Sequence, residues 1–188
     1  VEACLLDSLN KRVKFLEETF ALLGLDGIFA IHGRAEEFAK NKAYREKYDL
    51  CVSRAVSGLA TLSEYCLPYV KVGGLFVSYK SGSVKEEAEA AEKAVKILGG
   101  KIRDIQYFDL PGSEISRSLV IIEKIKNTPG KYPNKVKICP TGDFFAHRFH
   151  KIITKLSYFY HKLLLHYTMI EMPLDSPILC FIQGHFLL

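Results

Sequence analysis

Short apolar runs alternate along this chain with longer stretches whose apolar residues return every three or four positions. Residues 3–6 form the first such run and lead into Asp7-Ser8, which reads as a buried strand followed by a helix N-cap. Leu9, Val13, Leu16, Phe20 and Leu23 then recur at helical spacing, with Lys11, Arg12, Glu17 and Glu18 on other faces and Gly24 as a C-terminal stop. A second strand is expected over residues 28–31, a turn at His32-Gly33 and a further helical start over 34–38. Residues 48–53 give a third strand, apolar enough to be buried on both faces. Leu59, Leu62, Tyr65, Cys66 and Tyr69 mark a helix that Pro68 ends or kinks, and Gly73-Gly74 turns into a strand over 75–79. Val84, Ala88, Ala91, Val95 and Leu98 outline a charged amphipathic helix closed by Gly99-Gly100. Strands over 101–110 and 117–125 follow, joined by Pro111-Gly112-Ser113.

Short apolar strands separated by helices predict an α/β fold, a doubly wound parallel sheet covered on both faces and wound right-handedly. The closing strand pair adds an antiparallel edge. From about Lys137 this rhythm stops. Residues 1–135 therefore read as one domain, and 136–188 as an atypical tail expected to have no fixed packing against it.

Composition narrows the function classes. The chain has 188 residues, 48% of them hydrophobic and 25% charged, and its 26 Lys+Arg against 21 Asp+Glu give a formal net charge of +5. That excludes disorder throughout and allows a single domain with a real core. No run reaches the roughly 18 to 20 uncharged apolar residues of a spanning helix, since Lys and His interrupt even residues 152–170. The mild basicity is compatible with a polyanionic partner without selecting one. The five cysteines are odd in number and share no CxxC spacing, so neither a disulfide framework nor a zinc site is suggested, and a reducing cytoplasm is the expected compartment. The opening Val1-Glu2-Ala3, without an initiator Met, reads as a start missing its upstream part.

In a doubly wound sheet ligands sit outside the carboxyl ends of the strands, so the residues just after each strand are the candidates. Asp7 is placed to accept both hydroxyls of a nucleotide ribose, or simply to cap the helix. Arg34-Ala35-Glu36 could frame an adenine edge, or merely begin a helix with a dipole-favoured acid. Arg54 could hold a carboxylate or phosphate, or form a surface ion pair. Lys80 could touch a phosphate, or be a solvated strand-end lysine. His147 and His150, three apart, carry little metal-site signal without an acid or a matching pair. The histidine-rich tail could also lie on a membrane surface.

The run Leu5-Leu6-Asp7-Ser8-Leu9-Asn10-Lys11-Arg12, then His32-Gly33-Arg34-Ala35-Glu36-Glu37-Phe38, then Ser53-Arg54-Ala55-Val56, resembles the glucose-inhibited division protein B family. Those are the bacterial methyltransferases acting on guanine N7 of 16S ribosomal RNA. Leu67-Pro68-Tyr69, Leu110-Pro111-Gly112, Asn127-Thr128-Pro129 and Lys131-Tyr132-Pro133 extend the resemblance to about residue 134. It implies a class I S-adenosylmethionine-dependent methyltransferase (Rossmann-like) fold. It also implies S-adenosylmethionine as cofactor, 16S ribosomal RNA or the small ribosomal subunit as partner, and cofactor contacts at Asp7, Ala35, Glu36 and Arg54. Two departures accompany it. The family's glycine-rich loop would precede Val1, leaving the sheet incomplete, and Asn134-Lys135-Val136 leads away from the family's basic ending. The rival readings are a nicotinamide-dependent Rossmann oxidoreductase, in which an acid after the second strand also serves, and a non-catalytic RNA-binding remnant.

Overall fold

The computed structural model describes residues 2–54, 57–109, 115–134 and 178–183. All belong to one of the two compact units into which the chain divides, that formed by residues 1–136 with 176–188. Its strands are β1 (Glu2–Asp7), β2 (Ile28–His32), β3 (Tyr48–Arg54), β4 (Val70–Ser81), β5 (Gly100–Asp109), β6 (Ser116–Lys124) and β7 (Ile178–Gln183). Its helices are α1 (Asn10–Leu23), α2 (Ala35–Phe38), α3 (Leu59–Cys66) and α4 (Lys85–Ile97), with a turn of 3-10 helix at Leu67–Tyr69.

Local chemistry accounts for most of these boundaries. α1 ends where Gly24 turns left-handed at φ 59°, its N–H donating to the Ala21 carbonyl while the Leu25 N–H reaches back to Phe20. α4 carries Glu86 and Glu87 in its first turn and Lys96 in its last, each sign matched to the helix dipole. Pro68 sits in the 3-10 turn that closes α3, where its missing N–H breaks no helical ladder. β4 is longer than residues 75–79: it starts at Val70 and passes through Gly73 at φ 88°. The register against β3 jumps there, Tyr48 facing Val70 but Leu50 facing Leu75. The glycine pair is thus an irregularity inside a strand rather than a turn before one.

The sheet has seven strands in the order β2-β1-β7-β3-β4-β6-β5. The first five are mutually parallel, while β6 runs antiparallel between β4 and β5. Doubly wound topology with an antiparallel end is what the pattern predicts. The unexpected part is β7. It lies between β1 and β3, pairing Cys4 with Cys180 on one side and Cys51 with Cys180 on the other. Leu179, Cys180 and Ile182 are buried, and the Ser53 hydroxyl donates to the Ile182 carbonyl at 2.8 Å. The expectation that the tail has no fixed packing against the core is therefore wrong for residues 178–183. The physical reason is the slot itself: strands on either side offer unpaired N–H and C=O groups, which a short continuous apolar run can satisfy. The rest of the tail lies outside the described residues.

α3 and α4 pack over one face, where Cys51, Leu59, Leu62, Cys66, Phe76, Val84, Val95, Val120 and Ile122 belong to one buried cluster.

Candidate functional site

The sheet's strand order reverses across β1, β7 and β3, and their carboxyl ends are level. His32 lies beside Asp7, Leu6 beside Ile182, and Ile182 beside Ser53, so Asp7 and Arg54 end at the same level on the two strands that flank β7. Two inter-strand steps separate them, about 10 Å at the usual strand spacing. This is the switch point of a doubly wound sheet, where ligands bind.

Asp7 is 1% exposed. One carboxylate oxygen accepts the Leu9 N–H at 2.7 Å, and the other lies 3.3 Å from the Arg12 guanidinium. The acid therefore binds the backbone two residues on, just ahead of α1, and Leu9 rather than Ser8 is the capping residue. Asp7 thus closes a turn onto the backbone ahead of α1 without capping a first-turn N–H of the helix, and Arg12 holds its second oxygen.

The loop after β2 folds back on the same edge. The Gly33 N–H donates to the Asp7 carbonyl at 3.0 Å, and a Cβ at Gly33 would meet the Phe38 ring, which would have to shift to admit a side chain there. Ala35 is fixed from the neighbouring helix: the Tyr69 hydroxyl donates to its carbonyl at 2.6 Å. Burial pushes the Tyr69 hydroxyl well above its usual range, which keeps it a donor. Glu36 is 17% exposed and sits 3.6 Å from Arg34.

Arg54 ends β3 with its guanidinium 5.7 Å from the centre of the Tyr79 ring, a cation–π distance. Partial burial lowers its pKa, Tyr79 opposes this, and Arg117 adds to it. Lys80 matches neither of its readings. Its side chain is 10% exposed, and its amine donates to the Ser57 carbonyl at 2.8 Å and meets Glu87 at 2.7 Å, while the same Glu87 oxygen accepts the Leu59 N–H at 2.6 Å. It pins α3 to α4 instead of facing a phosphate.

Among the described residues no cluster of three or more His, Cys, Asp or Glu side chains could hold a metal, and His147 and His150 lie outside them. Cys4, Cys51, Cys66 and Cys180 are free and buried, with burial lifting the Cys4 thiol to about 12. No described helix is long and apolar enough to cross a membrane. Sequence reasoning missed β7 at the switch point, although residues 178–182 form an apolar run between Pro177 and Gly184, the signal used elsewhere to find strands.

Residues 1–119 match the model of a family described as rRNA small subunit methyltransferase G (GidB). Two relatives bear the name ribosomal RNA small subunit methyltransferase G. That of Clostridium novyi is 56% identical over 131 residues, covering 70% of this chain and 54% of the relative. That of Clostridium tetani is 51% identical over 134 residues, covering 71% and 56%. The chain thus spans about half the length of the curated relatives it matches. Among solved structures, TYW2 of Pyrococcus horikoshii in complex with MeSAdo aligns with a TM-score of 0.51 at 13% identity, over 65% of this chain and 47% of that one. NSun6 of the same organism aligns with a TM-score of 0.50 at 15% identity, over 67% and 42%. These two share the fold.

Proposed function

This chain belongs to the rRNA small subunit methyltransferase G (GidB) family, and from that premise we propose that it serves methyl transfer from S-adenosylmethionine to guanine N7 of 16S ribosomal RNA. The observation that carries the reading is the level row of strand ends at the switch point, with an acid at Asp7 and a cation at Arg54.

The residues at this edge fit the cofactor in kind. Asp7 and Glu36 are acceptors for hydroxyl or amine donors, Ala35 offers an apolar surface, and Arg54 is a cation for a carboxylate. A carboxylate has roughly four lone-pair sites, so Asp7 keeps capacity for a ribose hydroxyl beyond the Leu9 N–H, once Arg12 swings aside. The bound cofactor supplies an electrophilic sulfonium methyl. Guanine N7 carries a lone pair and no proton, so the protein's task is alignment and electrostatic tuning, and no general base is required. The excess of Lys and Arg over Asp and Glu, 26 to 21, favours a phosphate-rich partner such as the small ribosomal subunit, and buried free thiols suit the cytoplasm. The family match removes the ground for a nicotinamide-dependent oxidoreductase.

Incubating the chain with labelled S-adenosylmethionine and small subunits undermethylated at guanine N7 tests the activity. Label in 16S ribosomal RNA is expected. Saturable RNA binding without label would instead make the chain a non-catalytic RNA-binding remnant.

A further inference from the structure

Two segments far apart in sequence meet at the end of the sheet opposite Asp7 and Arg54. Residues 39–47 lead into the amino end of β3, and residues 125–134 leave the carboxyl end of β6, which runs antiparallel to β4 and so finishes at that same end. Arg45 clasps the two together. One guanidinium nitrogen donates to the Ala39 and Tyr132 carbonyls at 2.9 and 3.0 Å, and another to the Thr128 and Pro129 carbonyls at 2.8 and 3.3 Å. With its donors spent inward, Arg45 is a structural fastener rather than a free cation.

The clasp decides what is left outside. Lys40 follows Ala39 and Lys131 precedes Tyr132, and since both carbonyls meet one nitrogen of Arg45, these two exposed lysines stand side by side. Lys42, Lys47 and Lys126 are exposed with them. Lys131 rests 5.2 Å from the centre of the Tyr132 ring, a cation–π distance that holds its ammonium at the surface. The one acid in either segment, Glu46, points inward: it accepts the Thr128 N–H at 2.7 Å and lies 3.4 Å from the buried Lys124. Glu64, reached from α3, accepts the Asn134 N–H at 2.6 Å. Lysines from both segments therefore share a surface to which neither segment brings a free carboxylate.

We propose that this lysine surface anchors the phosphate backbone of the substrate RNA at a distance from the methyl-transfer edge, a proposal that rests on the RNA methyltransferase reading. Lysine supplies a point charge that a phosphate satisfies in many orientations, and such contacts position a nucleic acid without reading its bases. β3 runs from Tyr48 to Arg54, so the anchor lies about 20 Å along that strand from the cofactor edge. It holds a part of the RNA other than the nucleotide being methylated. Each phosphate neutralised releases counterions, so the contribution of every lysine is written in the salt dependence of binding.

Fluorescence anisotropy of a labelled hairpin of 16S ribosomal RNA, titrated with the chain over a range of salt, tests this. An unrelated hairpin of equal length and methyl transfer from S-adenosylmethionine are measured in parallel. Lys40→Gln combined with Lys131→Gln is expected to weaken binding of both hairpins about tenfold at physiological salt and to lower the slope of log K against log salt by about 2. Lys85→Gln combined with Lys93→Gln, an equal loss of charge on α4, should change neither. Far-UV circular dichroism and S-adenosylmethionine affinity should be the same in all three proteins. No RNA binding, an unchanged slope in the first variant, an equal loss in the second, or tighter binding to phosphatidylserine vesicles than to RNA would overturn the anchor. A slope that falls as expected in a chain that transfers no methyl group would uphold the anchor and count against the methyl-transfer reading.

Discussion

Lys124 ends β6 with no exposed surface, an uncommon place for an ammonium group. Its Nζ donates to the Leu67 carbonyl and the Thr128 hydroxyl, each at 2.6 Å, and Glu46 lies 3.4 Å away. Thr128 in turn donates to the Leu98 carbonyl and, through its N–H, to Glu46. The lysine thereby ties the segment after β6 to the ends of α3 and α4. Burial pushes its pKa from 10.5 down to about 8, more strongly than Glu46 holds it up. Below pH 8 both folded and unfolded chains carry the proton, and the folded state bears the desolvation penalty. Between about 8 and 10.5 the unfolded chain holds a proton that the folded chain has lost, so stability must rise with pH across that window. At roughly 1.36 kcal/mol per pH unit the full rise is about 3 kcal/mol. Lys124→Met removes the titration and leaves two acceptors without their donor, a loss of about 1 to 3 kcal/mol. Near pH 7 that loss is offset by relief of the desolvation penalty, which is of similar size, so the variant should lie close to the parent there and fall behind it by pH 10. Other groups oppose the rise, since Cys4, lifted to about 12, keeps its proton in the fold after the unfolded thiol has lost it. The difference between parent and variant cancels that contribution. Urea unfolding followed by far-UV circular dichroism from pH 6 to 10 measures it. A difference that stays flat from pH 8 to 10, or shrinks, would refute the reasoning.

Three further outcomes follow from the same structure. Ile182→Ala in the central strand should cost about 2 to 5 kcal/mol in urea unfolding, as for other buried aliphatic truncations, and a change under about 0.5 kcal/mol would mean that β7 does not occupy the slot. Cys4, Cys51, Cys66 and Cys180 should resist alkylation at pH 8 under native conditions, read by peptide mass spectrometry. Labelling of Cys180 at the rate of a free thiol would contradict its pairing between Cys4 and Cys51. Arg54→Ala should weaken S-adenosylmethionine binding about tenfold, and unchanged affinity would remove Arg54 from the site.

The doubly wound class, α1, β3 and α4 were legible because their signals are local: helical spacing, continuous apolar runs and a glycine stop at Gly24. β4 was read too short because Gly73-Gly74 marks a turn and an in-strand irregularity with the same letters. Residues 178–182 carry the local signal of a strand, but the place of β7 depends on a vacancy between two distant strands, which no local pattern contains. The strand ends themselves single out Asp7, Arg54 and the loop around Ala35 and Glu36 as candidates. Burial, which decides what Asp7 and Lys80 touch, is a property of the packed chain.

The central claim is that Asp7, Ala35, Glu36 and Arg54 border one adenosine-sized site at the switch point. Titration calorimetry of the chain with S-adenosylmethionine tests it directly. The account predicts a saturable single-site heat that adenosine competes away and Asp7→Ala abolishes. No saturable heat, or a heat indifferent to both adenosine and Asp7, would contradict it.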